Sequence, residues 1–454
     1  MARPSDPPEQ TDSDAVPPSE TRNLWALAVH FVFLRAGWVF KTETVIMPTF
    51  LDTISGAHWL RGCLPVLNRL GASLPPLALA PRLRDTPLKK LALCGATLVM
   101  AVPFLLLSSV CFVISPGDKP GWLPALFLGC YAVCFIGTGL NRLAFNTIQG
   151  KQIRAHRRGQ LGAASGILGS IAAVTGVLLL LPGWLNLPDG NGFRYIFGCT
   201  GLGFVAAGAC ALLIRERPDP PQTGDGETLS TTIRESWGVL RRDADFRRLV
   251  VVGMLFISIQ LAFPHFARLG RDQLDGGENA DLGWHLMLWV VCQSTGFGLG
   301  SLPSGWIADR YGNRLAIRLQ VLAVAMAPAL AILLTSSLVP GGERLYWLTF
   351  LLLGLTPLTF RTLNNYTLEL APPELHPRYL STLSVCLAVP FVASPLVGWL
   401  VGWLGFPFVF LAISATVATA GLLTFRLAEP RHRREPAPTS PWPPDTMDPP
   451  KPVR

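Results

Sequence analysis

The sequence predicts an all-α membrane protein, with twelve transmembrane helices in two pseudo-symmetric six-helix bundles. Half of the 454 residues are hydrophobic, only 15% are charged and the mean hydropathy is +0.39, which is unlike a soluble protein. A helix needs roughly 20 residues to cross the hydrocarbon core, and apolar runs of about that length follow one another along the chain. The twelve runs are approximately 24–51, 56–80, 91–114, 122–148, 161–183, 193–214, 249–268, 284–308, 315–338, 345–370, 380–403 and 406–427.

A polar stretch between the sixth and seventh runs divides the chain into two halves. We expect a cytoplasmic linker at 216–247, whose second half could form a surface helix, between bundles at 22–215 and 248–430. The polar segments 1–21 and 431–454 are predicted to be disordered tails, and the first of them does not resemble a cleaved signal peptide. A weak repeat supports the division, since "SLPP" in the second run matches "SLPS" in the eighth.

The positive charges predict the orientation in the membrane. Lys and Arg gather in three loops, at 82–90, 151–158 and 310–318, which are therefore expected to be cytoplasmic. Both termini would then lie in the cytoplasm, with the chain spanning the cell membrane. The net charge of +9 follows this topology, so it does not indicate a nucleic-acid partner. All nine cysteines lie within apolar runs, without the spacing of a metal site or a disulfide framework.

The segment "GWIADRYGNRLAIR" connects the eighth and ninth runs. It contains Gly305, Asp309, Arg310, Gly312 and Arg314, and such a charged cluster is not stable in hydrocarbon. The two glycines are expected to let helix ends approach closely, while the carboxylate could cap the amides at the start of a neighbouring helix. These residues indicate a specialised turn.

This pattern resembles the loop signature of the major facilitator superfamily, and the resemblance extends over about 22–430. It implies a secondary carrier that moves a small solute by alternating access, with the solute site near the midplane between the halves. It also implies that Asp309 lies near the first turn of the fifth helix, around 158–161. The first half departs from the pattern, because Pro81 stands in the place of Asp309, although another register would place Asp85 there.

Charged residues inside apolar helices are costly and are candidates for function. Arg35, Arg142 and Arg361 fall at a similar depth in the first, fourth and tenth runs. The resemblance implies that these helices line the central cavity, where the arginines could bind a carboxylate or phosphate. Alternatively, they pair with helix ends or extend to the cytoplasmic interface. Further candidates for the substrate site are Asn146, Asn365 and Gln260.

Glu43 is the candidate for proton coupling, because it is a carboxylate well inside the first run. Its alternative role is an ion pair with Arg61, which lies at a similar depth in the second run. Lys41 is not expected to pair with Glu43, since two residues of a helix turn these side chains to nearly opposite sides.

The favoured function is transport of a small organic anion, with a proton as coupling ion and the lipid bilayer as environment. The sequence shows no nucleophile and base arrangement, phosphate loop or metal cluster, so neither an enzyme nor a cofactor is predicted. A monomer is expected. One alternative is a proton-driven drug or metabolite efflux pump, although the Gly-Pro signature of drug antiporters is absent from the fifth run. Another is a non-transporting membrane sensor on the same fold.

Overall fold

A computed structural model describes residues 20–218, 229–274, 281–371 and 375–429, and no β-strand occurs among them. The first half contains α1 (Glu20–Val39), α2 (Ile46–Ile54), α3 (His58–Asp85), α4 (Lys89–Val113), α5 (Leu123–Gln152), α6 (Ala155–Leu185) and α7 (Phe193–Leu212). The second half follows with α8 (Leu229–Arg242), α9 (Ala244–Ile257), α10 (Ile259–Leu274), α11 (Leu282–Tyr311), α12 (Asn313–Leu334), α13 (Trp347–Leu353), α14 (Thr356–Leu370), α15 (His376–Ala388) and α16 (Ser394–Leu423).

Each of the predicted apolar runs coincides with helix, so the all-α prediction is confirmed. Within the described ranges, seven helical stretches are long and apolar enough to cross a membrane. The full count of twelve crossings stays a prediction. The predicted tails lie outside the described residues, except that the last two residues of the first one, 20–21, belong to α1.

Several runs are broken helices. The first run divides into α1 and α2, because residues 40–45 are not helical. The expectation of one continuous first helix is therefore wrong, and side-chain directions at 41 and 43 cannot be taken from helical geometry. Conversely, α16 consists of two helical segments that meet at the non-helical Gly405 (φ 79°), and it covers the end of the eleventh predicted run and most of the twelfth. The break at 40–45 matters for function because it lies beside the central cavity.

The helices pack first within each half and then across the boundary between the halves. In the first half α4 packs on α7 and α5, and α1 packs on α6 and α7, whereas in the second half α12 packs on α16 and α14. Across the boundary α3 contacts α16, and α6 contacts α11. The linker helix α8 packs on α15. The hydroxyl of Tyr379 on α15 donates a hydrogen bond at 3.0 Å to Asp243, which directly follows α8.

The two halves meet closely at one end of the molecule. We call this the outer end, and the opposite end, which carries residues 20 and 429, the inner end. A Cβ on Gly62 of α3 would lie 2.5 Å from the carbonyl oxygen of Ser394, so only glycine allows this approach. The Asn186 side chain of the first half donates to Asp281 of the second half at 2.8 Å. Backbone packing and a polar contact therefore both close the outer end.

The two glycines of the loop motif, Gly305 and Gly312, differ in backbone conformation and in the space around them. Gly312 ends α11 with φ +93°, and a Cβ there would lie 2.8 Å from Oε1 of Glu429. A Cβ on Gly305 would meet nothing within 4 Å. Among the described residues no helix approaches Gly305 closely in this conformation, so the expected close approach is not found there.

A carboxylate does lie at the start of α6, and it is that of Glu20. Oε1 of Glu20 accepts a hydrogen bond from the backbone N–H of Arg154 at 3.3 Å, and Oε2 lies 3.1 Å from Nε of the same arginine. The side chains of residues 158–160 and 74–85 are outside the described part of the chain. The predicted cap by Asp309 and its counterpart at Pro81 or Asp85 therefore stay predictions.

Candidate functional site

A cavity of about 920 Å³ lies between the two halves, on the inner side of the outer contacts. It is lined from the first half by α1, α3, α5 and the break at 40–45, and from the second half by α10, α11, α14 and α15. Two of its arginines, Arg142 and Arg361, are exposed to solvent. The cavity is therefore an open chamber between two packed bundles.

Most of the residues predicted for substrate binding and proton coupling line this cavity. They are Arg35, Glu43, Arg142, Asn146, Gln260 and Arg361. Asn365 is not among the lining residues, whereas Asn364 is. The role of Asn365 in substrate binding therefore stays a prediction. One residue turns the side-chain direction by about 100° around a helix, and the repeat between the halves is too weak to fix that register.

Arg35 and Arg361, from opposite halves, both stand near one aromatic ring. The guanidinium carbon of Arg35 on α1 lies 6.0 Å from the centroid of the Phe297 ring, and that of Arg361 on α14 lies 5.9 Å from it. A guanidinium in this position is attracted weakly by the ring's electrons, and its N–H donors remain available to a ligand. The predicted convergence of basic groups thus exists across the boundary.

A further arginine, Arg69 on α3, also lies at this site and was not predicted from the sequence. Its guanidinium carbon lies 5.8 Å from the Phe360 ring centroid and 5.9 Å from that of Phe391, and it lines the same cavity. Nε of Arg69 is buried without a hydrogen-bond partner among the described residues. A signal for it existed, because Arg69 also stands inside an apolar run.

The cavity carries an excess of positive charge. Its lining contains four arginines (35, 69, 142 and 361) but only one acidic residue, Glu43. Within the described ranges, no carboxylate lies within 4.0 Å of these arginines and no carbonyl accepts a hydrogen bond from them. The alternative in which the arginines pair with helix ends is not what this structure contains.

Only one of the two carboxylate oxygens of Glu43 accepts a hydrogen bond from a described residue. The side-chain amide of Asn68 donates to Oε2 of Glu43, whereas Oε1 is buried without a partner among the described residues. The alternative pairing of Glu43 with Arg61 is wrong, because Arg61 pairs with Asp52. Asp52 stands on α2, seven residues after the end of the helix break, and the sequence did not indicate it as a partner of Arg61.

Lys41 lies in an aromatic environment, from which its charge acts on Glu43. Its Nζ lies 3.4 Å from the Trp38 ring centroid and 4.1 Å from that of Phe135, and its side chain is almost fully buried. No ion pair joins Lys41 to Glu43 among the described residues, as the sequence predicted, although the reason is the helix break and not helical geometry.

Two polar contacts between the halves close the cavity on its outer side. The Thr44 hydroxyl, beside Glu43, donates to Oε1 of Gln293 at 2.6 Å. Farther out, Asp52 accepts from Arg61 of its own half and from Arg271 of the other half. A solute in the cavity would have to separate these contacts to leave through the outer end.

Comparisons with known proteins agree with this architecture. The model of the Major Facilitator Superfamily matches residues 276–453. Proteins of Mycobacterium tuberculosis and Mycobacterium bovis described as uncharacterized are 27% identical over 396 residues, covering 83% of this chain and 70% of theirs. A mutant of the nucleoside transporter NupG has a TM-score of 0.71 at 11% identity, covering 89% of this chain and 100% of that protein. A peptide transporter POT in complex with sulfate has a TM-score of 0.64 at 16% identity, covering 90% and 94%.

Proposed function

We propose that this chain, a transporter with the fold of the major facilitator superfamily, carries a small organic anion by alternating access of the central cavity. The observation that supports the proposal is the set of four arginines around one cavity that have no carboxylate partner among the described residues. Like charges several ångströms apart repel by a few kcal/mol at an effective dielectric near 20. A bound anion relieves that repulsion and uses the guanidinium donors.

The arrangement of contacts favours an inward-facing state for this conformation. The outer end is closed by Thr44, Asp52 and their partners, while Arg142 and Arg361 remain exposed. The basic loops support a cytoplasmic position for the inner end. In this proposal the protein lies in the cell membrane and binds or releases the anion at the cytoplasmic face.

Glu43 is the proposed coupling group. It faces the cavity, and one of its buried oxygens has no described partner, so a proton could occupy that position. An ionised Glu43 cancels part of the positive field that attracts the anion, whereas a protonated Glu43 does not. The proton and the anion would therefore favour each other's binding, as in a symporter.

Efflux of a lipophilic cation is the alternative that the geometry disfavours. A cation in the cavity would face four guanidinium groups and one carboxylate, so it would add to the repulsion. A non-transporting sensor would bind the anion without moving it, and a flux assay separates that case from a carrier.

The experiment is anion binding and uptake by the purified full chain in proteoliposomes, tested on a panel of organic anions, cations and neutral solutes. We expect anions to bind, and Arg361→Ala or Arg142→Ala to weaken binding by about tenfold or more. Arg194→Ala is the matched control, because Arg194 stacks on Phe112 and Tyr195 outside the cavity. The proposal fails if only cations or neutral solutes bind, or if both cavity variants bind anions as the parent does.

A further inference from the structure

We infer that the substrate is a dianion whose two anionic groups lie at opposite ends of an apolar body, each end held by one pair of arginines. The inference rests on the proposed function and adds the valence and shape of the anion. One pair is Arg35 with Arg361, and the other is Arg69 with Arg142.

The first pair spans the boundary between the halves. Arg35 and Arg361 stand near the same Phe297 ring, at 6.0 and 5.9 Å from its centroid, and neither has a described hydrogen-bond acceptor. A carboxylate or phosphate accepts several hydrogen bonds from guanidinium groups at once. One anionic group between these two residues would therefore connect the two halves.

The second pair belongs to the first half alone. Arg69 on α3 and Arg142 on α5 line the same cavity, on helices that pack together, and the charge of Arg142 acts on Arg69. Nε of Arg69 is buried without a described partner. This pair is a second place where an anionic group would gain donors and reduce repulsion.

Apolar surface is available for the body of the solute. Phe297 stands by the first pair, and Phe360, which contacts Arg69, stands by the second. Trp38 and Phe263 line the same cavity. A volume of about 920 Å³ is at the large end of the range for small-molecule sites, about 300–1,000 Å³, so a body between two charged ends can be accommodated.

The charge of the cavity lining favours a substrate with two anionic groups over a substrate with one. The lining holds four arginines and one carboxylate. A monoanion would supply a negative charge to only one of the arginine pairs, and the repulsion within the other pair would remain. A dianion with separated anionic groups supplies each arginine pair with its own negative charge.

The experiment compares four probes on the purified full chain in lipid nanodiscs. Terephthalate carries a carboxylate at each end of a benzene ring, benzoate carries one, phenyl phosphate carries its charge in one group, and benzamide is neutral. We expect terephthalate to bind about tenfold or more tighter than benzoate and tighter than phenyl phosphate. Equal affinity for terephthalate and benzoate overturns the dianion, and tighter binding of phenyl phosphate overturns the two separated groups. Tighter binding of benzamide than of any anion overturns the proposed function itself.

Variants test the assignment of the pairs. Arg69→Gln and Arg361→Gln should each reduce the ratio of terephthalate to benzoate affinity towards one, whereas Arg194→Gln should keep the parent's ratio. Arg69→Lys retains the charge and should restore part of the ratio, which separates a ligand contact from a folding defect. A ratio unchanged in Arg69→Gln, with unaltered thermal unfolding, shows that the second pair does not bind the substrate.

Discussion

Asp52 on α2 accepts a hydrogen bond from Arg271 on α10, so one buried carboxylate joins the two halves at the outer end. The same carboxylate pairs with Arg61 on α3. Asp52 and Arg61 are nearly inaccessible, and Arg271 is only 8% exposed. Opening the outer end would have to separate a buried carboxylate from a buried guanidinium, so this contact is a candidate determinant of the balance between conformations.

We predict that Asp52→Asn favours outward opening. Removing one partner of a buried ion pair typically costs about 3–5 kcal/mol because the other charge is left unpaired, and here that cost falls on the outer-closed state. Spin labels at Gly121 and Leu338, on outer loops of the two halves, should move apart; the former position has open space and the latter is 80% exposed.

Asp272→Asn provides the matched control for that change. Asp272 pairs with Arg268 within α10, so this ion pair does not cross the boundary between the halves. Each of the two side chains is about one-third exposed. An exposed pair of this kind contributes only about 0–1 kcal/mol. An unchanged label distance in Asp52→Asn, or an equal change in both variants, would contradict the role of Asp52.

Asp281 gives a second outer contact with its own pH dependence. The pKa of Asp281 is lowered from its usual value of 3.8. The main cause is the hydrogen bond from the Asn186 side chain, and the next is the hydrogen bond from the Trp284 N–H. Because the folded pKa is lowered, the contact is fully formed at neutral pH and is lost only as the pH falls through that lowered pKa. Asn186→Ala removes the contact at every pH, so it should abolish this acid-dependent opening, as measured with the outer spin labels. The same acid profile in parent and variant would exclude Asn186 as the stabilising partner.

Gly312 should tolerate substitution poorly, and Gly305 well. At φ +93° and ψ 156° Gly312 adopts a conformation that is rare for other residues, with a cost of about 1–3 kcal/mol. A Cβ there would also contact Glu429. We expect Gly312→Ala to lower the melting temperature and Gly305→Ala to leave it unchanged or raised. If the inner ends close around Gly305 during transport, Gly305→Ala should nonetheless slow uptake. Equal melting temperatures for the two variants would refute the conformational argument.

The sequence predicted the helical runs well because their hydrophobicity is a local property, and the depth of Arg35, Arg142 and Arg361 follows from counting along a run. It could not predict the break at 40–45 or the choice of Asp52 over Glu43 as the partner of Arg61. Both depend on contacts between residues distant in the chain, such as Arg271 with Asp52. That Asn364 lines the cavity, and Asn365 does not, has the same origin, since only packing fixes the rotation of α14.

Glu43→Gln should remove the pH dependence of anion binding. In the parent, protonation of Glu43 removes the only acidic charge among the cavity residues, so anion affinity should increase as the pH falls. Unit charges several ångströms apart interact by a few kcal/mol at an effective dielectric near 20, so the change should be roughly tenfold or more. Glutamine resembles the protonated form and should bind the anion tightly at all pH values.

The measurement is anion affinity of the full chain in nanodiscs as a function of pH, together with proton uptake during transport. Asp118→Asn is the control, because Asp118 is an exposed carboxylate outside the cavity, and it should retain the parent's pH profile. Uptake by Glu43→Gln should lose its response to an imposed pH gradient while exchange of anion for anion continues. A Glu43→Gln variant with the parent's pH profile would show that another group carries the proton or that none does.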